Sequence, residues 1–514
     1  MQFYYSPVDP VVQTKYGKLR GYTYGNVDHF LGVKYADAKR FCMPTDIQPW
    51  EGIKDARTYG PIMLQMRPFN PMERFQGMNQ PWRESEDCQY LNIWAPHHED
   101  GKKRPVFVYM HGGGFFSGSS IESSFFDGFN MASQGDTVMV SMNHRLNLLA
   151  HLNLADYGEE FKNSVNVGVA DLVTCLKWIH ENIEFFGGDP DNVTICGHSG
   201  GGGKVLYMYQ IEEARKYFAR GLVISGTLDG GPQTTEEESR IMAKAVMDKL
   251  GITKENIEKV RDIPYSELLA AYSASAKELV AQGVNIGTTP IANDYFGGFP
   301  NEGDFTDYAL DKPMLITSTL GEFNFKVNIS DEFKQSATVE DKEAMIRERF
   351  GEASDELMRL FRQTYPDHDI IDLMYLDAAF RRPTYETAIK KARKSPNPNT
   401  YMLLFAYDFP CNCRITPWHG SELPYVFLNP EMAPVCNEPV YGEKMAETFK
   451  AMVLNYIRTG DPNNEFMPDW KPVSEEHPYT MVLDRECTLR EAHDVELIAL
   501  YKKVCPPLVF HPEL

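Results

Sequence analysis

No hydrophobic stretch of this 514-residue chain approaches the ~18–20 residues needed to cross a bilayer. Positive charge is also scarce: 51 Lys and Arg stand against 72 Asp and Glu, a formal net charge of −21. That balance argues against a nucleic-acid partner, because no basic face would release counterions from phosphates. The one basic run, Lys390-Lys391-Ala392-Arg393-Lys394, reads as a solvated helix face. At the start, Met1-Gln2-Phe3-Tyr4-Tyr5 shows no basic n-region, apolar segment or small-residue cleavage site, and a cytoplasmic location is the expectation. Cysteine is sparse as well. The nine cysteines, at 42, 88, 175, 196, 411, 413, 436, 487 and 505, are odd in number and lack tight framework spacing. The pair Cys411-Asn412-Cys413 has no further clustered ligands, so no metal site is expected. Internal repeats and low-complexity tracts are missing too.

What is present alternates between strand-like and helix-like text. Nearly continuous apolar runs at 106–110, 137–142, 192–196, 221–225, 313–318 and 401–407 are what strands covered on both faces require. From Gly168 to Ile183, apolar residues at Val169, Leu172, Val173, Leu176, Ile179 and Ile183 carry the helical spacing of a buried face. Between about 231 and 385 the text turns charged and helical, with Gly297-Gly298-Phe299-Pro300 as an interruption. This stretch reads as helical insertions forming a cap on a single domain spanning 1–514.

The run Asn192-Val193-Thr194-Ile195-Cys196 leads into Gly197-His198-Ser199-Gly200-Gly201, with a helix-compatible segment from Lys204. G-x-S-x-G between a strand and a helix is the sequence form of a nucleophile elbow, a sharp turn that pushes a serine hydroxyl into a cleft. Upstream, His111-Gly112-Gly113-Gly114-Phe115 follows the strand-like 106–110. An H-G-G-G turn of this kind supplies backbone N–H groups to an oxyanion hole, here from Gly113 and Gly114, with Gly200 beside the serine. A serine nucleophile needs a base, and the base an orienting acid. Thirteen histidines are available and spacing alone does not choose among them. In the chain order Ser, acid, His, Glu322 after strand-like 313–318 and His419 after strand-like 401–407 are candidates.

The chain resembles the type-B carboxylesterase and cholinesterase family of the α/β-hydrolase fold, bacterial carboxylesterases in particular. The matching segments include Thr14-x-x-Gly17-x-Leu19-x-Gly21, Phe30-Leu31-Gly32-Val33 and Ser85-Glu86-Asp87-Cys88-Gln89-Tyr90-Leu91-Asn92-Ile93-Trp94. Asn182-Ile183-x-x-Phe186-Gly187-Gly188-Asp189-Pro190 and Thr459-Gly460-Asp461-Pro462-Asn463 continue the match toward the C-terminus. The resemblance implies a central, mostly parallel twisted sheet with helices on both faces and helical cap insertions. It also implies a Ser199–Glu322–His419 triad, although the family's usual D-E-G reads Gly321-Glu322-Phe323 here. Ser225 matches a serine that contacts the triad acid in relatives, and Arg40–Glu86 and Arg145–Asp171 match two ion pairs, expected to be largely buried. The partner implied is a small ester, hydrolysed through an acyl-enzyme without metal or organic cofactor; nothing in the sequence sets the oligomeric state. A non-catalytic adhesion protein of the same fold is the competing class, and lipase, thioesterase or carbamate hydrolase the nearer alternatives. His198 stands where relatives usually carry glutamate, which makes choline esters doubtful substrates. Relatives pair the cysteine of the E-D-C segment with one upstream, and Tyr59–Gln65 offers none, so Cys88 and the remaining cysteines are expected to be free thiols.

Overall fold

The structure, a computed structural model, describes residues 8–66, 82–97, 100–229, 234–411 and 414–505, so Met1–Tyr5 and Cys413 lie outside the described residues. These fall into two compact units, one made of 8–220 and 234–309, the other of 221–229 and 310–505.

The first unit holds strands β1 (Tyr22–Tyr24), β2 (Val27–Lys34), β3 (Tyr90–Pro96), β4 (Arg104–Met110), β5 (Val138–Met142) and β6 (Gly188–His198). Their order across the sheet is β6-β4-β5-β3-β2-β1. The pairs β6–β4 and β4–β5 are parallel, and the pairs from β5 outward are antiparallel. The central strands are apolar along their length because both of their faces are covered: Val106, Phe107, Val108, Val138, Val140, Val193 and Ile195 are all fully buried. Helix α1 (Val167–Asn182) matches the apolar spacing read from the sequence, and Leu172, Val173, Leu176 and Ile179 lie in the core.

Helix α2 (Gly200–Met208) starts four residues before the expected Lys204. Four successive glycines are poor helix formers. Here, packing decides: a Cβ on Gly201 would lie 2.1 Å from the Met110 carbonyl oxygen, so the helix approaches the end of β4 backbone to backbone. Helices α3 (Glu236–Lys249) and α4 (Tyr265–Val280) lie in the charged stretch that begins near 231. A reciprocal Thr235–Glu238 capping box starts α3. The two helices bury Met242, Val246, Leu268 and Tyr272 in a cluster with Phe41, Met63, Cys88 and Leu149.

The second unit carries β7 (Arg220–Ile224, entering the unit at Gly221), β8 (Met314–Thr319), β9 (Thr400–Phe405), β10 (Tyr479–Leu483) and β11 (Cys487–Glu491). The first four are parallel in that order and β11 closes the edge antiparallel. Helix α5 (Arg381–Lys394) contains the basic run, and one of its lysines departs from the solvated face expected of it. Lys391 is fully buried, and its ammonium donates to the Leu310 carbonyl at 2.8 Å, Ser395 Oγ at 2.7 Å and Asn399 Oδ1 at 3.1 Å. Burial lowers its pKa to about 7. Charge along a sequence shows where a lysine is, not which way the helix turns it.

Candidate active site

In the first unit, β6 ends at His198, and Ser199 stands between it and α2 with φ 58° and ψ −127°. A left-handed φ at a residue with a side chain is strained backbone, held by surrounding packing. That packing is visible at Gly200, where a Cβ would fall 2.2 Å from the Gly114 carbonyl oxygen. At Gly112 it would meet the His198 carbonyl oxygen at 2.9 Å and Ser199 Cβ at 3.5 Å. The H-G-G-G turn and the elbow therefore lie against each other, and Ser199 is half-buried. Gly113 and Gly114 take φ 81° and 64°, a conformation few other residues tolerate. The turn is pinned by its neighbours: the Ser117 amide donates to the Gly113 carbonyl at 3.1 Å, and the Asn147 amide to the Phe115 carbonyl at 2.6 Å. Among the described residues, the amides of Gly113, Gly114 and Gly200 bond no acceptor.

Lys204, one turn into α2, is fully buried and donates to the His111 carbonyl at 2.8 Å. Burial lowers its pKa to about 7, against a smaller opposing pull from Glu122. Sequence reasoning passed over this residue. Its signal was a lysine at the end of a glycine run on a helix that must be buried to support the elbow. The His111 ring stacks on His144 with centroids 4.9 Å apart, and burial drives both imidazoles well below their ordinary pKa, keeping them neutral.

The ion pairs matched by resemblance belong to the same unit. Arg145 bonds both oxygens of Asp171, at 2.9 and 2.7 Å, with 3% and 0% of the side chains exposed. Arg40 bonds both oxygens of Glu86 and also donates to the Val260 and Ile263 carbonyls. The Glu86 side chain is 32% exposed, so only the first pair is buried on both sides. Glu86 sits on a loop, which leaves its side chain partly exposed.

In the second unit, Glu322 follows β8 and is fully buried. Its Oε1 accepts from Ser225 Oγ at 2.6 Å and from the Thr319 amide at 2.8 Å. Its Oε2 lies 2.5 Å from His419 Nδ1. The His419 amide donates to the Glu322 carbonyl at 2.7 Å. Phe323 and Phe380 flank the imidazole, with centroids 5.1 and 4.9 Å away. A carboxylate so placed holds the proton on Nδ1 and leaves Nε2 as the basic nitrogen.

The other acids near this histidine in sequence or space are differently placed. Glu422 is buried with neither carboxylate oxygen hydrogen-bonded among the described residues, and burial followed by the charge of Glu322 pushes its pKa far up. Asp229 pairs with Lys502. Asp377, which sequence reasoning missed, accepts from the amides of Ala379, Phe380 and Arg381. Burial and the Glu322 charge raise its pKa to about 7. The eight described cysteines carry free thiols; Cys88 Sγ contacts Met63 Sδ at 3.6 Å.

The carboxylesterase family model matches residues 8–498. The chain is 28% identical over 507 residues to the para-nitrobenzyl esterase of Bacillus subtilis, covering 95% of this chain and 97% of that protein. It is 28% identical over 501 residues to the phenmedipham hydrolase of Pseudarthrobacter oxydans, covering 93% and 95%. Among solved structures, an esterase of Clostridium hathewayi described as able to hydrolyze aliphatic aromatic polyesters superposes with a TM-score of 0.92 at 38% identity, covering 98% of this chain and 100% of that one.

Proposed function

The chain belongs to the carboxylesterase family, with its α/β-hydrolase fold, and from that premise we propose that its carboxylic-ester hydrolysis runs through Ser199, His419 and Glu322. The observation that carries the assignment is the buried Glu322 bound to His419 Nδ1 at 2.5 Å, which holds the proton on Nδ1 and makes Nε2 the basic nitrogen. In this reading Ser199 Oγ attacks the ester carbonyl carbon and passes its proton to His419 Nε2. The imidazolium, stabilised by Glu322, returns that proton to the departing alkoxide, and water repeats the cycle on the acyl-serine. The amides of Gly113, Gly114 and Gly200 hold the tetrahedral oxyanion, supported by their having no other acceptor.

Esters that carry an aromatic ring are the proposed substrate class. Phe115 stacks on Tyr207 in the first unit, and Phe323 and Phe380 flank His419 in the second. Relatives named for para-nitrobenzyl esters and for aliphatic aromatic polyesters support the same class. A cytoplasmic location is proposed with it, supported by the free thiols of the described cysteines.

The assignment is tested with a fluorophosphonate probe and peptide mapping. Label on Ser199 supports it, and label on any other serine of the active protein refutes it. A panel of aryl and alkyl esters of graded acyl length tests the substrate class, which fails if alkyl esters without a ring are hydrolysed as fast.

A further inference from the structure

In the second unit, three ligand-bearing side chains outside the Ser225, Glu322 and His419 cluster meet. His368 lies in the loop after the helix Ser354–Thr364, Asp372 on the 3-10 turn Ile370–Tyr375, and Asp408 just beyond β9. Their side chains are 3%, 7% and 3% exposed. One donor atom from each lies within 4.8 Å of the others. We propose that His368, Asp372 and Asp408 form a structural site for one divalent transition-metal ion of the zinc type.

Both spacings from His368 Nδ1 are longer than hydrogen bonds; the one to Asp408 falls in the range of ligands around an ion and the one to Asp372 lies just beyond it. His368 Nδ1 is 3.4 Å from Asp408 Oδ1 and 3.7 Å from Asp372 Oδ2. A direct N–H···O bond would be ~2.7–3.2 Å long. Ligands bonded at ~2.0–2.2 Å in a tetrahedron stand roughly 3.3–3.6 Å apart. The orphaned atoms point the same way: His368 Nδ1 and Asp408 Oδ1 are buried with no hydrogen-bond partner among the described residues. Buried polar atoms are ordinarily satisfied, and one cation would satisfy both.

The surroundings supply the outer contacts such a site uses. His368 Nε2 lies 2.8 Å from Asp484 Oδ2, the carboxylate–histidine arrangement that fixes a ligand's tautomer and turns the lone pair of the other nitrogen to the metal. Arg414 bonds Asp408 Oδ2 at 2.8 Å and so holds that carboxylate with Oδ1 turned inward. One imidazole with two carboxylates suits zinc or manganese better than calcium or magnesium, which take oxygen ligands. Asp484, 26% exposed, marks the side open to solvent, where water completes the coordination. The ion would tie the 3-10 turn to the segment leaving β9. The competing arrangement is a histidine cation caged by the same carboxylates. Burial lowers its pKa, but Asp372, Asp484 and Asp408 together push it up to about 10.

The experiment titrates chelator-stripped full-length protein with zinc against a chromophoric chelator and follows the melting temperature in parallel. The expected result is one zinc bound per chain, a melting temperature raised by several degrees, and loss of both effects in His368→Gln and Asp408→Asn. X-ray absorption at the zinc edge of the loaded wild type should show a mixed nitrogen and oxygen shell at about 2.0–2.1 Å. Absence of stoichiometric binding by the wild type, whatever the variants do, overturns the proposal in favour of the caged cation. Binding that survives in folded His368→Gln also overturns it.

Discussion

His419 and Glu322 are tied together twice, by side chain and by backbone: the imidazole Nδ1 meets the carboxylate at 2.5 Å and the His419 amide donates to the Glu322 carbonyl at 2.7 Å. The ring is thereby fixed in orientation as well as in tautomer. Glu422 and Asp377, two other buried acids, have their pKa values raised first by burial and then by the charge of Glu322.

Removing the proposed nucleophile should be nearly total. Ser199→Ala and His419→Ala are each expected to lower kcat by about 10⁶, because members of a triad act as a unit and their losses do not add. Glu322→Gln, which keeps the shape but favours the wrong tautomer, should cost about 10⁴. Steady-state rates on p-nitrophenyl acetate check the series. An unchanged rate in Glu322→Gln would dismiss it as the acid.

Ser225→Ala removes one of the two donors to Glu322 Oε1 and leaves the Thr319 amide in place. A hydrogen bond to a charged group contributes about 1.5–3 kcal/mol. A kcat reduced by roughly ten- to a hundredfold, with KM little changed, is expected if most of that is felt in the transition state. A variant with wild-type kcat would make the contact purely structural.

Gly200→Ala tests the close approach of elbow and glycine turn. The added methyl would overlap the Gly114 carbonyl oxygen, 2.2 Å from the Cβ position, and force the two segments apart. The expected loss is about 10²–10³ in kcat, the size of one oxyanion donor. Fluorophosphonate labelling should slow in step, while circular dichroism stays native.

The two ion pairs should differ in stability. Asp171→Asn strands the buried Arg145 and is expected to cost about 3–5 kcal/mol. Glu86→Gln leaves Arg40 with two backbone carbonyls and a partly wet surface, and should cost about 1 kcal/mol or less. Melting temperatures of the two variants, measured side by side, decide it; equal shifts would contradict the argument.

Lys204 carries a pH signature. Its pKa falls from 10.5 unfolded to about 7 folded, so the unfolded chain binds the extra proton between those values. Stability from this group therefore rises with pH from about 7 to 10.5, and below 7 the full penalty of burying the charge applies. Lys204→Met removes that penalty. Its melting temperature relative to wild type should be highest below pH 7 and decline as the pH is raised toward 10; a difference independent of pH would show that Lys204 is not buried as a strained cation. Loss of the bond to the His111 carbonyl should lower activity at every pH.

Legibility in the sequence followed the demands of the backbone. Ser199 and the glycines at 112–114 and 200–201 could be read directly, since a strained elbow and a turn with bare amides leave few alternatives to glycine. The six strands β4 to β9 were equally plain, because strands covered on both faces must be apolar throughout, whereas β1, β2, β3, β10 and β11 were not read from the sequence. Side chains that act across long sequence separations left no such mark. Spacing did not choose His419 from thirteen histidines, and resemblance, rather than chemistry, singled out Glu322 and Ser225.

The sequence by itself made the elbow, the glycine turn and six strands legible, because such backbone leaves few alternatives to glycine and strands covered on both faces are apolar throughout. Tertiary structure alone decided which charges are buried and whom they face. Lys391 lies buried within a run that reads as a solvated face, Lys204 caps a carbonyl inside the core, and Glu322 rather than Glu422 receives the donors. It also brought His368, Asp372 and Asp408 to a single point. The physical reason is that a carboxylate's or ammonium's role depends on desolvation and on partners tens to hundreds of residues away. Local propensity and periodicity carry no record of either.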